Sequence, residues 1–400
     1  MSCVILAAGE GSRMRPLTAA RPKVMQPVAG KPMVEHLLIE CRKAGLTDFV
    51  LIVGYHDEKV RGYFGDGSAW GARIRYVLQR QPAGTADALR QALPLLNTSF
   101  IMLNGDIMLR AADIAPLSRM KVTTLSLVEL ADVTGMGVVE LEGECVILIH
   151  EKTLNPPTHL ANAGVYYFTQ DVVAALAKTP RSPRGEFEIT DTIQLMIDAG
   201  VPVGFRMLNT WRDLGYPWDL LSANEEFLSG IESRIEGKVE DGAVLKGAVE
   251  IGSGSIVRAG SYIVGPVIIG QNCDIGPNCY LRPGTAIGNN CHIGASVEIK
   301  NSIIMANTKI PHLTYVGDSI IGENCNLGAG TQVANLRFDR SNARVNGKDT
   351  GRRKMGAIIG DNVSTGINAS INLGTFIGSG AIIGPGALVS GVIAPGARIL

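Results

Sequence analysis

A six-residue repeat in the second half of the chain restricts its fold more than any other feature of the sequence. From Ile269 to Ile299 an aliphatic residue recurs at every sixth position, often followed by glycine, and the same spacing returns in two later stretches. The positions that carry the repeat are Ile269, Ile275, Leu281, Ile287, Ile293 and Ile299, then Ile321, Leu327 and Val333, then Ile377, Ile383 and Val389. This period is typical of a parallel β-helix, whose stacked coils share one continuous core. Since three hexapeptides form one triangular coil, residues 18 apart should stack. The repeat predicts a left-handed parallel β-helix over residues 242–400.

Four cysteines follow the same repeat and are interpreted as core residues. Each lies four places after a repeat aliphatic residue, at the second inward position; they are Cys273, Cys279, Cys291 and Cys325. Their spacing of six and twelve also resembles that of metal ligands. A small apolar side chain at an inward position explains the spacing without a metal, so we expect these thiols to pack in the core.

The first half of the chain has a different pattern, in which short β-branched runs alternate with helical segments. The predicted strands are Cys3–Leu6, Phe49–Val53, Phe100–Leu103 and Thr123–Leu127, and the predicted helices are Met33–Ala44 and Ala86–Leu96. Strands that alternate with helices predict a mostly parallel α/β sheet. We therefore expect an α/β domain over residues 1–225, a linker helix over 226–241 and the β-helix over 242–400.

The overall charge and the apolar runs exclude several classes of protein. Lysine plus arginine equals aspartate plus glutamate, 37 each, so no net charge attracts nucleic acid or anionic lipid. No stretch approaches the roughly 18 apolar residues of a membrane span, and the apolar run at the N-terminus is too short for a signal peptide. The seven cysteines form no disulfide-like framework. We expect a cytoplasmic protein with small-molecule substrates and no nucleic-acid or membrane partner.

A glycine-rich segment follows the first predicted strand. Residues Leu6–Thr18 contain Gly9 and Gly11, and glycine allows a sharp turn that brings backbone N–H groups against phosphate oxygens. Four cations lie in or just after this segment: Arg13, Arg15, Arg21 and Lys23. The spacing matches neither a Walker A loop nor a Rossmann GxGxxG motif. The segment predicts a loop that binds a triphosphate.

Together with Pro22 and Lys23, this segment resembles the signature of the sugar-1-phosphate nucleotidyltransferases. Further segments resemble that family in the same order: Gln79–Ala86, Asn104–Asp106, Gly137–Glu140, Glu151–Lys152, Asn162–Tyr166, Gly185–Asp191 and Trp211–Gly215. The resemblance spans nearly all of residues 1–225 and implies a Rossmann-like nucleotidyltransferase domain. In this reaction a sugar-1-phosphate oxygen attacks the α-phosphorus of a nucleoside triphosphate, and pyrophosphate leaves.

The resemblance also implies a role for each matching residue. Arg13 and Lys23 would be catalytic, and Asp106 and Asp213 would bind Mg²⁺, which prefers a few carboxylates plus phosphate oxygens. Taken alone, either aspartate could simply cap a turn or a helix. The implied nucleotide-binding residues are Leu6, Ala8, Gly9, Gly11, Gln79, Gly84 and Thr85. The implied sugar-phosphate residues are Gly137, Glu151, Lys152 and Asn162. UTP and dTTP both remain open as the nucleotide.

A second candidate site lies within the repeat. Arg282 and Lys300 occupy a position usually filled by glycine and are 18 residues apart, so they should stack on one corner of adjacent coils. Stacked cations are unfavourable unless an anion such as phosphate lies between them. His312 follows, about one coil before Ala329. An imidazole, whose unperturbed pKa is about 6.5, suits a general base at neutral pH.

Segments around these residues closely resemble the acetyltransferase half of the bifunctional N-acetylglucosamine-1-phosphate uridylyltransferases, in their archaeal form. The matching segments are Leu281–Gly284, Val297–Lys300, His312–Asp318, Asn326–Thr331 and Asn335. The resemblance implies that His312 deprotonates the amine of glucosamine 1-phosphate and that acetyl-CoA, bound near Ala329, is the co-substrate. The implied substrate-binding residues are Arg282, Lys300, Tyr315, Asn326 and Asn335. It further implies a homotrimer or a dimer of trimers built on the β-helix.

Two other functions remain as alternatives. The first is a glucose-1-phosphate thymidylyl- or uridylyltransferase whose β-helix serves only assembly. The second is a non-catalytic subunit, which the glycine-rich loop and the two aspartates disfavour. No role is predicted for the basic segment 336–356, and the preferred sugar also remains open.

Overall fold

The computed structural model describes residues 1–152, 155–345 and 347–400, which form two compact units. The first unit comprises Met1–Glu10, Pro22–Met25 and Met33–Asp213. The second comprises Gly11–Arg21, Gln26–Pro32 and Leu214–Leu400, so most of the glycine-rich segment groups with the β-helix residues. Within the described ranges, none of the helices combines the length and hydropathy needed to cross a bilayer.

The first unit is built on a nine-stranded sheet. From one edge to the other its strands are Arg73–Leu78, Asp48–Val53, Ser2–Ala7, Phe100–Asn104, Leu160–Phe168, Thr123–Glu129, Val203–Met207, Cys145–Glu151 and Gly137–Glu142. The first four run parallel, whereas Leu160–Phe168 is antiparallel to both of its neighbours. The α/β class is confirmed, but the sheet is mixed rather than mostly parallel. The short Gly143-Glu144 connection permits only an antiparallel hairpin at the far edge.

Helices cover both faces of this sheet because its central strands are apolar on both sides. In Ser2–Ala7, Cys3 and Ile5 pack in one cluster, and Val4 packs in the other. The α-helices of the chain are Met33–Lys43, Asp57–Phe64, Thr85–Ala92, Ala111–Ile114, Val172–Lys178, Ile189–Asp198 and Pro217–Leu228. Short 3₁₀ helices occupy Ser12–Met14, Leu17–Ala19, Lys23–Met25, Ser68–Trp70, Leu93–Leu95 and Ala115–Arg119. The helix predicted over Ala86–Leu96 ends early because Pro94 cannot continue the hydrogen-bond ladder.

The second unit contains a left-handed parallel β-helix of three sheets, as the repeat predicts. The first sheet consists of Arg234–Ile235, Val249–Ile251, Val267–Ile269, Thr285–Ile287, Ile303–Ile304, Ile320–Ile321, Ile358–Ile359, Phe376–Ile377 and Val392–Ile393. The second consists of Lys238–Val239, Ile256–Val257, Asp274–Ile275, His292–Ala295, Lys309–His312, Asn326–Leu327, Ser364–Thr365, Ile382–Ile383 and Arg398–Ile399. The third consists of Val244–Lys246, Tyr262–Val264, Tyr280–Leu281, Glu298–Lys300, Tyr315–Gly317, Gln332–Val333, Ser370–Ile371 and Leu388–Val389.

The register of these strands follows the predicted coil length of 18 residues in part of the β-helix, whereas several coils are one or two residues shorter. Ile269 pairs with Ile287, a step of 18 residues, whereas Ile287 pairs with Ile304, a step of 17. The repeat aliphatic residues fill one interior core together with the four cysteines of the repeat. All four thiols are free and buried, which confirms their interpretation as core residues.

The boundary between the halves differs from the predicted linker helix over 226–241. The helix instead spans Pro217–Leu228, with proline in its first turn and a capping box between Tyr216 and Asp219. The first β-helix strand already begins at Arg234 and pairs with Glu250 one coil later. The β-helix therefore starts before residue 242. The prediction missed the first coil because this coil carries less of the aliphatic repeat.

The basic segment 336–356 interrupts the β-helix between two coils, so that Ile320 pairs with Ile358. It folds on itself through the antiparallel strands Arg344–Val345 and Lys348–Asp349. Ala343, Val345 and Met355 of this segment are buried. The described residues of this segment, which do not include Asn346, belong to the second unit.

Arg21 does not belong to the phosphate-binding cations predicted for the glycine-rich segment. Its side chain is 9% exposed and lies 2.8 Å from Asp361, which is 6% exposed, and 3.0 Å from Glu323. The Asp361 carboxylate also accepts a hydrogen bond from the Glu323 amide at 2.8 Å. This buried ion pair ties the segment Gly11–Arg21 to β-helix residues of the same unit.

We expect Arg21→Met to lower the free energy of unfolding by about 3–5 kcal/mol, because it leaves the buried Asp361 carboxylate without its cation. Urea-induced unfolding of the full chain measures the change. The exposed Arg119→Met is the control and should change it by less than about 0.5 kcal/mol. The double variant Arg21→Met/Asp361→Leu should recover most of the loss. A single variant as stable as the wild type would contradict the assignment.

Candidate active sites

The first candidate site lies at the carboxyl ends of two parallel strands of the first unit. Leu6 pairs with Asn104, and the Gly105 amide donates a hydrogen bond to the Leu6 carbonyl at 2.9 Å. A Cβ at Gly105 would lie only 2.5 Å from that carbonyl oxygen, so glycine is required here. This approach brings Asp106 beside the first part of the glycine-rich loop. Carboxyl ends of neighbouring parallel strands are where α/β folds commonly bind ligands.

Asp106, Asp213 and Lys23 meet in this unit as the family resemblance implies. The strands Ile107–Leu109 and Trp211–Asp213 pair antiparallel with Asp213 opposite Ile107, which brings the two aspartates together. The ammonium of Lys23 lies 2.5 Å from Asp106 and 4.0 Å from Asp213. The carboxylates are 29% and 41% exposed and therefore open to a ligand. Two exposed carboxylates beside a lysine suit Mg²⁺ bound together with phosphate oxygens.

A cleft of about 570 Å³ in the first unit has residues of the predicted nucleotide site in its wall, among them Ala8 and Gln79. Its volume lies in the usual range for small-molecule sites. The Gln79 amide nitrogen donates hydrogen bonds to the Gly84 carbonyl at 3.1 Å and to the Asp87 carboxylate at 2.9 Å. Since both partners can only accept, the amide is oriented with its oxygen available as an acceptor.

The predicted base-binding segment is fastened to the Gly185–Asp191 segment. Gly84 has a φ of +108°, and a Cβ there would lie 2.3 Å from the Phe187 carbonyl oxygen. The Ala86 amide donates to that oxygen at 2.9 Å. The Thr85 hydroxyl accepts a hydrogen bond from the Ile189 amide at 2.9 Å. In this structure Thr85 thus supports the loop, whereas the resemblance implies a nucleotide contact.

Three of the four predicted sugar-site residues converge on one point of the sheet. Gly137 pairs with Glu151, and a Cβ at Gly137 would lie 2.9 Å from the Glu151 carboxylate and 3.8 Å from Cβ of Asn162. Asn162 is held by donating to the Tyr166 hydroxyl at 2.8 Å. Lys152 follows Glu151 and is exposed. The missing side chain at Gly137 leaves room for a ligand beside Glu151 and Asn162.

Arg184 is a site residue that the sequence did not reveal. Its guanidinium lies 3.3 Å from the Glu151 carboxylate and 2.6 Å from the Glu188 carboxylate. Burial raises the pKa of Glu151, and the nearby Arg184 acts in the opposite direction. Arg184 and Glu151 belong to separate segments of the chain, so no local sequence pattern indicates that they pair.

Arg13 lies in the second unit, where it contacts Tyr216. Its guanidinium carbon is 5.2 Å from the centroid of the Tyr216 ring, which stacks on Trp218 at 4.7 Å. The turn that contains Arg13 is closed by the Thr18 hydroxyl, which donates to the Gly11 carbonyl at 3.0 Å. Tyr216 was not predicted, because more than 200 residues separate it from Arg13.

The second candidate site is a polar cluster on the third sheet of the β-helix, centred on the buried Asp318. This carboxylate accepts hydrogen bonds from Lys300 at 3.0 Å, from Asn301 at 2.8 Å and from Asn335 at 2.6 Å. Asn335 also donates to the Tyr315 hydroxyl at 3.0 Å. Burial, followed by the Asp318 charge, raises the pKa of Tyr315. The structure thus brings together Lys300, Tyr315 and Asn335.

Arg282 and Lys300 stack on adjacent coils as predicted, since Leu281 pairs with Ile299. The inference that they need an external anion is wrong, however. Arg282 lies 2.8 Å from Glu298, and Lys300 lies 3.0 Å from Asp318. Carboxylates of the chain itself therefore balance both charges, and a sugar phosphate would have to share or displace these partners.

His312 lies on the second sheet, apart from the Asp318 cluster. Its side chain is exposed, and its carbonyl accepts the Thr314 hydroxyl at 2.8 Å and the Gly330 amide at 3.3 Å. Asn326 is also exposed and pairs with Lys309 on the neighbouring coil. Within the described part of the chain, no hydrogen bond joins the imidazole to the Asp318 cluster. His312 and Asn326 thus lie on strands of the second sheet, whereas Lys300 and Tyr315 lie on strands of the third.

Comparison with known proteins gives matches to both halves. Residues 2–230 match the family model described as nucleotidyl transferase, and residues 263–372 match the model described as GMPPB C-terminal domain. A protein of Methanococcus maripaludis named bifunctional protein GlmU is 42% identical, covering 92% of this chain and 89% of that protein. A bifunctional sugar-1-phosphate nucleotidylyltransferase/acetyltransferase of Sulfurisphaera tokodaii is 40% identical, covering 92% of each chain.

A solved structure is similar to part of the chain. It is described as a glucose-1-phosphate thymidylyltransferase from Bacillus anthracis in complex with sucrose, and it is 26% identical with a TM-score of 0.53. The match covers 59% of this chain and 98% of that one, whereas the archaeal relatives match nearly the whole length. The chain therefore belongs to the nucleotidyl transferase family and, within it, to the archaeal bifunctional sugar-1-phosphate nucleotidylyltransferase/acetyltransferases.

Proposed function

We propose that this enzyme acetylates glucosamine 1-phosphate with acetyl-CoA and then transfers a uridylyl group from UTP to the product. The reaction releases pyrophosphate and yields UDP-N-acetylglucosamine. The meeting of Asp106, Asp213 and Lys23 carries the proposal for the first half. For the second half, the whole-length similarity to proteins named GlmU supports acetyl transfer. UTP and acetyl-CoA are made inside the cell, so we assign the enzyme to the cytoplasm.

In nucleotidyl transfer the chain mainly positions charge around reacting phosphates. Asp106 and Asp213 would hold Mg²⁺, which neutralises charge on the phosphate oxygens when bound. Lys23, which lies beside both carboxylates, binds the reacting phosphates, and Arg13 binds the triphosphate. The free oxygen of the Gln79 amide accepts the N3–H of uracil or thymine, a group that cytosine lacks. Glu151 and Asn162 bind the sugar.

In acetyl transfer His312 takes a proton from the sugar amine, so that the amine nitrogen can attack the thioester carbonyl of acetyl-CoA. The C–S bond then breaks, and coenzyme A leaves as the thiol. Arg282 and Lys300 bind the sugar phosphate, and Tyr315, Asn326 and Asn335 orient the sugar. Acetyl-CoA lies near Ala329. Since His312 and the Asp318 cluster lie on different faces of one β-helix, we propose that the site forms between subunits of a homotrimer or a dimer of trimers.

A second candidate is glucose-1-phosphate thymidylyl- or uridylyltransferase activity without acetyl transfer. The likeness to a structure described as a thymidylyltransferase favours it.

A substrate panel distinguishes the two candidates. UTP and dTTP are each tested with glucosamine 1-phosphate, N-acetylglucosamine 1-phosphate and glucose 1-phosphate, with and without acetyl-CoA. Pyrophosphate release and thiol release are measured separately. We expect thiol release with glucosamine 1-phosphate and the fastest pyrophosphate release with the acetylated sugar and UTP. If pyrophosphate is released but no amino sugar phosphate causes thiol release from acetyl-CoA, the acetyl-transfer proposal is wrong and the second candidate is supported.

A further inference from the structure

Two cations meet on one phenol ring in the second unit. The Arg13 guanidinium carbon lies 5.2 Å from the centroid of the Tyr216 ring, and the Lys348 ammonium lies 3.9 Å from the same centroid. Lys348 also donates a hydrogen bond to the Tyr216 hydroxyl. Lys348 belongs to the basic segment 336–356, for which the proposed function gives no role.

The position of Lys348 is set by several contacts of its segment. Arg352 donates to the Ser222 hydroxyl at 2.7 Å and pairs with Glu225 at 2.5 Å, both on the helix Pro217–Leu228. Tyr216 caps the first turn of that helix. The same segment packs against a later coil, since a Cβ at Gly374 would lie 3.0 Å from the Arg344 carbonyl oxygen. The segment is thus anchored on the helix that carries Tyr216.

These two cations differ from several other cations of the second unit in having no carboxylate partner among the described residues. Arg21, Arg282, Lys300 and Arg352 each pair with an aspartate or glutamate. Over the described ranges, neither Arg13 nor Lys348 has a carboxylate within ion-pair distance; their shared partner is a neutral aromatic ring. Cation–π contacts at exposed sites are worth only about 0.5–1 kcal/mol each, so they leave both charges available. A multiply charged anion would satisfy both cations at once.

We infer that Lys348 binds the phosphates of the nucleoside triphosphate that leave as pyrophosphate, together with Arg13. This inference rests on the proposed function, in which Arg13 binds the triphosphate. Pyrophosphate fits the observation because it presents several charged oxygens to two separate cations. Lys348 and Arg13 both belong to the second unit, so the two cations meet within one compact unit. Tyr216 keeps both cations in position; its pKa is lowered by Lys348 first and also by Arg13.

The test removes the charge of Lys348 and keeps a hydrogen-bond donor for the phenol. In full-length Lys348→Gln we expect the Kd for magnesium pyrophosphate, measured by calorimetry, to rise about 10- to 100-fold. The KM for the nucleoside triphosphate should rise by a similar factor, with a smaller change in kcat. In Lys348→Arg both the Kd for magnesium pyrophosphate and the KM for the nucleoside triphosphate should remain within about threefold of the wild type, because arginine keeps the positive charge. The exposed Arg353→Gln in the same segment is the matched control.

The outcomes separate this inference from the proposed function. If the wild type binds and releases pyrophosphate but Lys348→Gln binds it equally well, the inference is wrong and the proposed function stands. A change confined to the KM for the sugar 1-phosphate would also overturn it, because the ammonium would then contact the other substrate. If the wild type itself neither binds nor releases pyrophosphate, the proposed function fails first. Acetyl transfer should be unchanged in every variant.

Discussion

Asp106→Asn is expected to reduce pyrophosphate release by on the order of 10²–10³-fold, because it removes a carboxylate that would hold the Mg²⁺ ion, and this ion neutralises charge on the reacting phosphates. The substitution keeps the size of the side chain, so the first unit should keep its fold. Acetyl transfer should not change, since its proposed residues are in the other unit. Pyrophosphate release from UTP and N-acetylglucosamine 1-phosphate, measured over a range of Mg²⁺ concentrations, provides the test.

The Mg²⁺ dependence separates metal binding from a general effect on Lys23. A weakened metal site requires more Mg²⁺ for half-maximal activity, and Asp213→Asn should shift the dependence in the same direction. The exposed Asp241→Asn is the control for loss of one negative charge. Near wild-type activity with an unchanged Mg²⁺ dependence in both Asp106→Asn and Asp213→Asn would exclude them as the metal ligands.

His312→Ala should reduce acetyl transfer by about 10²–10⁴-fold, the usual cost of losing a general base. Its exposed side chain makes no packing contribution that would confuse the result, and nucleotidyl transfer should be unchanged. Thiol release from acetyl-CoA with glucosamine 1-phosphate as the acceptor measures the effect.

His292→Ala is a matched control, because His292 is on the same sheet one coil earlier and opposite Lys309. It should acetylate like the wild type. Equal activity of His312→Ala and His292→Ala would mean that another group removes the proton, while the β-helix assignment would stand.

The sequence was most informative where structure repeats locally. The aliphatic frame from Ile269 to Val389 predicts coils and core, because each hexapeptide occupies an equivalent position. The steps of 17 residues from Ile287 to Ile304 and on to Ile321 were not predicted, since a turn shortened by one residue leaves the apolar pattern almost intact. The predicted linker helix failed for a related reason: the first coil, from Arg234, carries too few aliphatic residues to be recognised.

Site residues were likewise predicted where a local motif marks them and missed where they depend on contacts between distant segments. Asp106 and Asp213 were predicted from short motifs, and the pairing of their strands brings them together. The carboxylates beside Arg282 and Lys300 were not predicted, because the repeat aligns the two cations but does not show which side chains they contact. Arg184, Tyr216 and Lys348 depend on contacts between distant segments, which leave no periodic or local trace.

The buried pair of Arg21 and Asp361 limits how such an enzyme can change over evolution. A gene cut after residue 230 would encode Arg21 without Asp361 or Glu323, and the other fragment would contain both acids without the cation. Exchange of one half between relatives meets the same difficulty unless the incoming half supplies the matching charge. Two separate activities would suggest that the halves can be split or exchanged freely, but this ion pair should make gene fission and recombination less well tolerated. Changes at positions 21 and 361 should arise together.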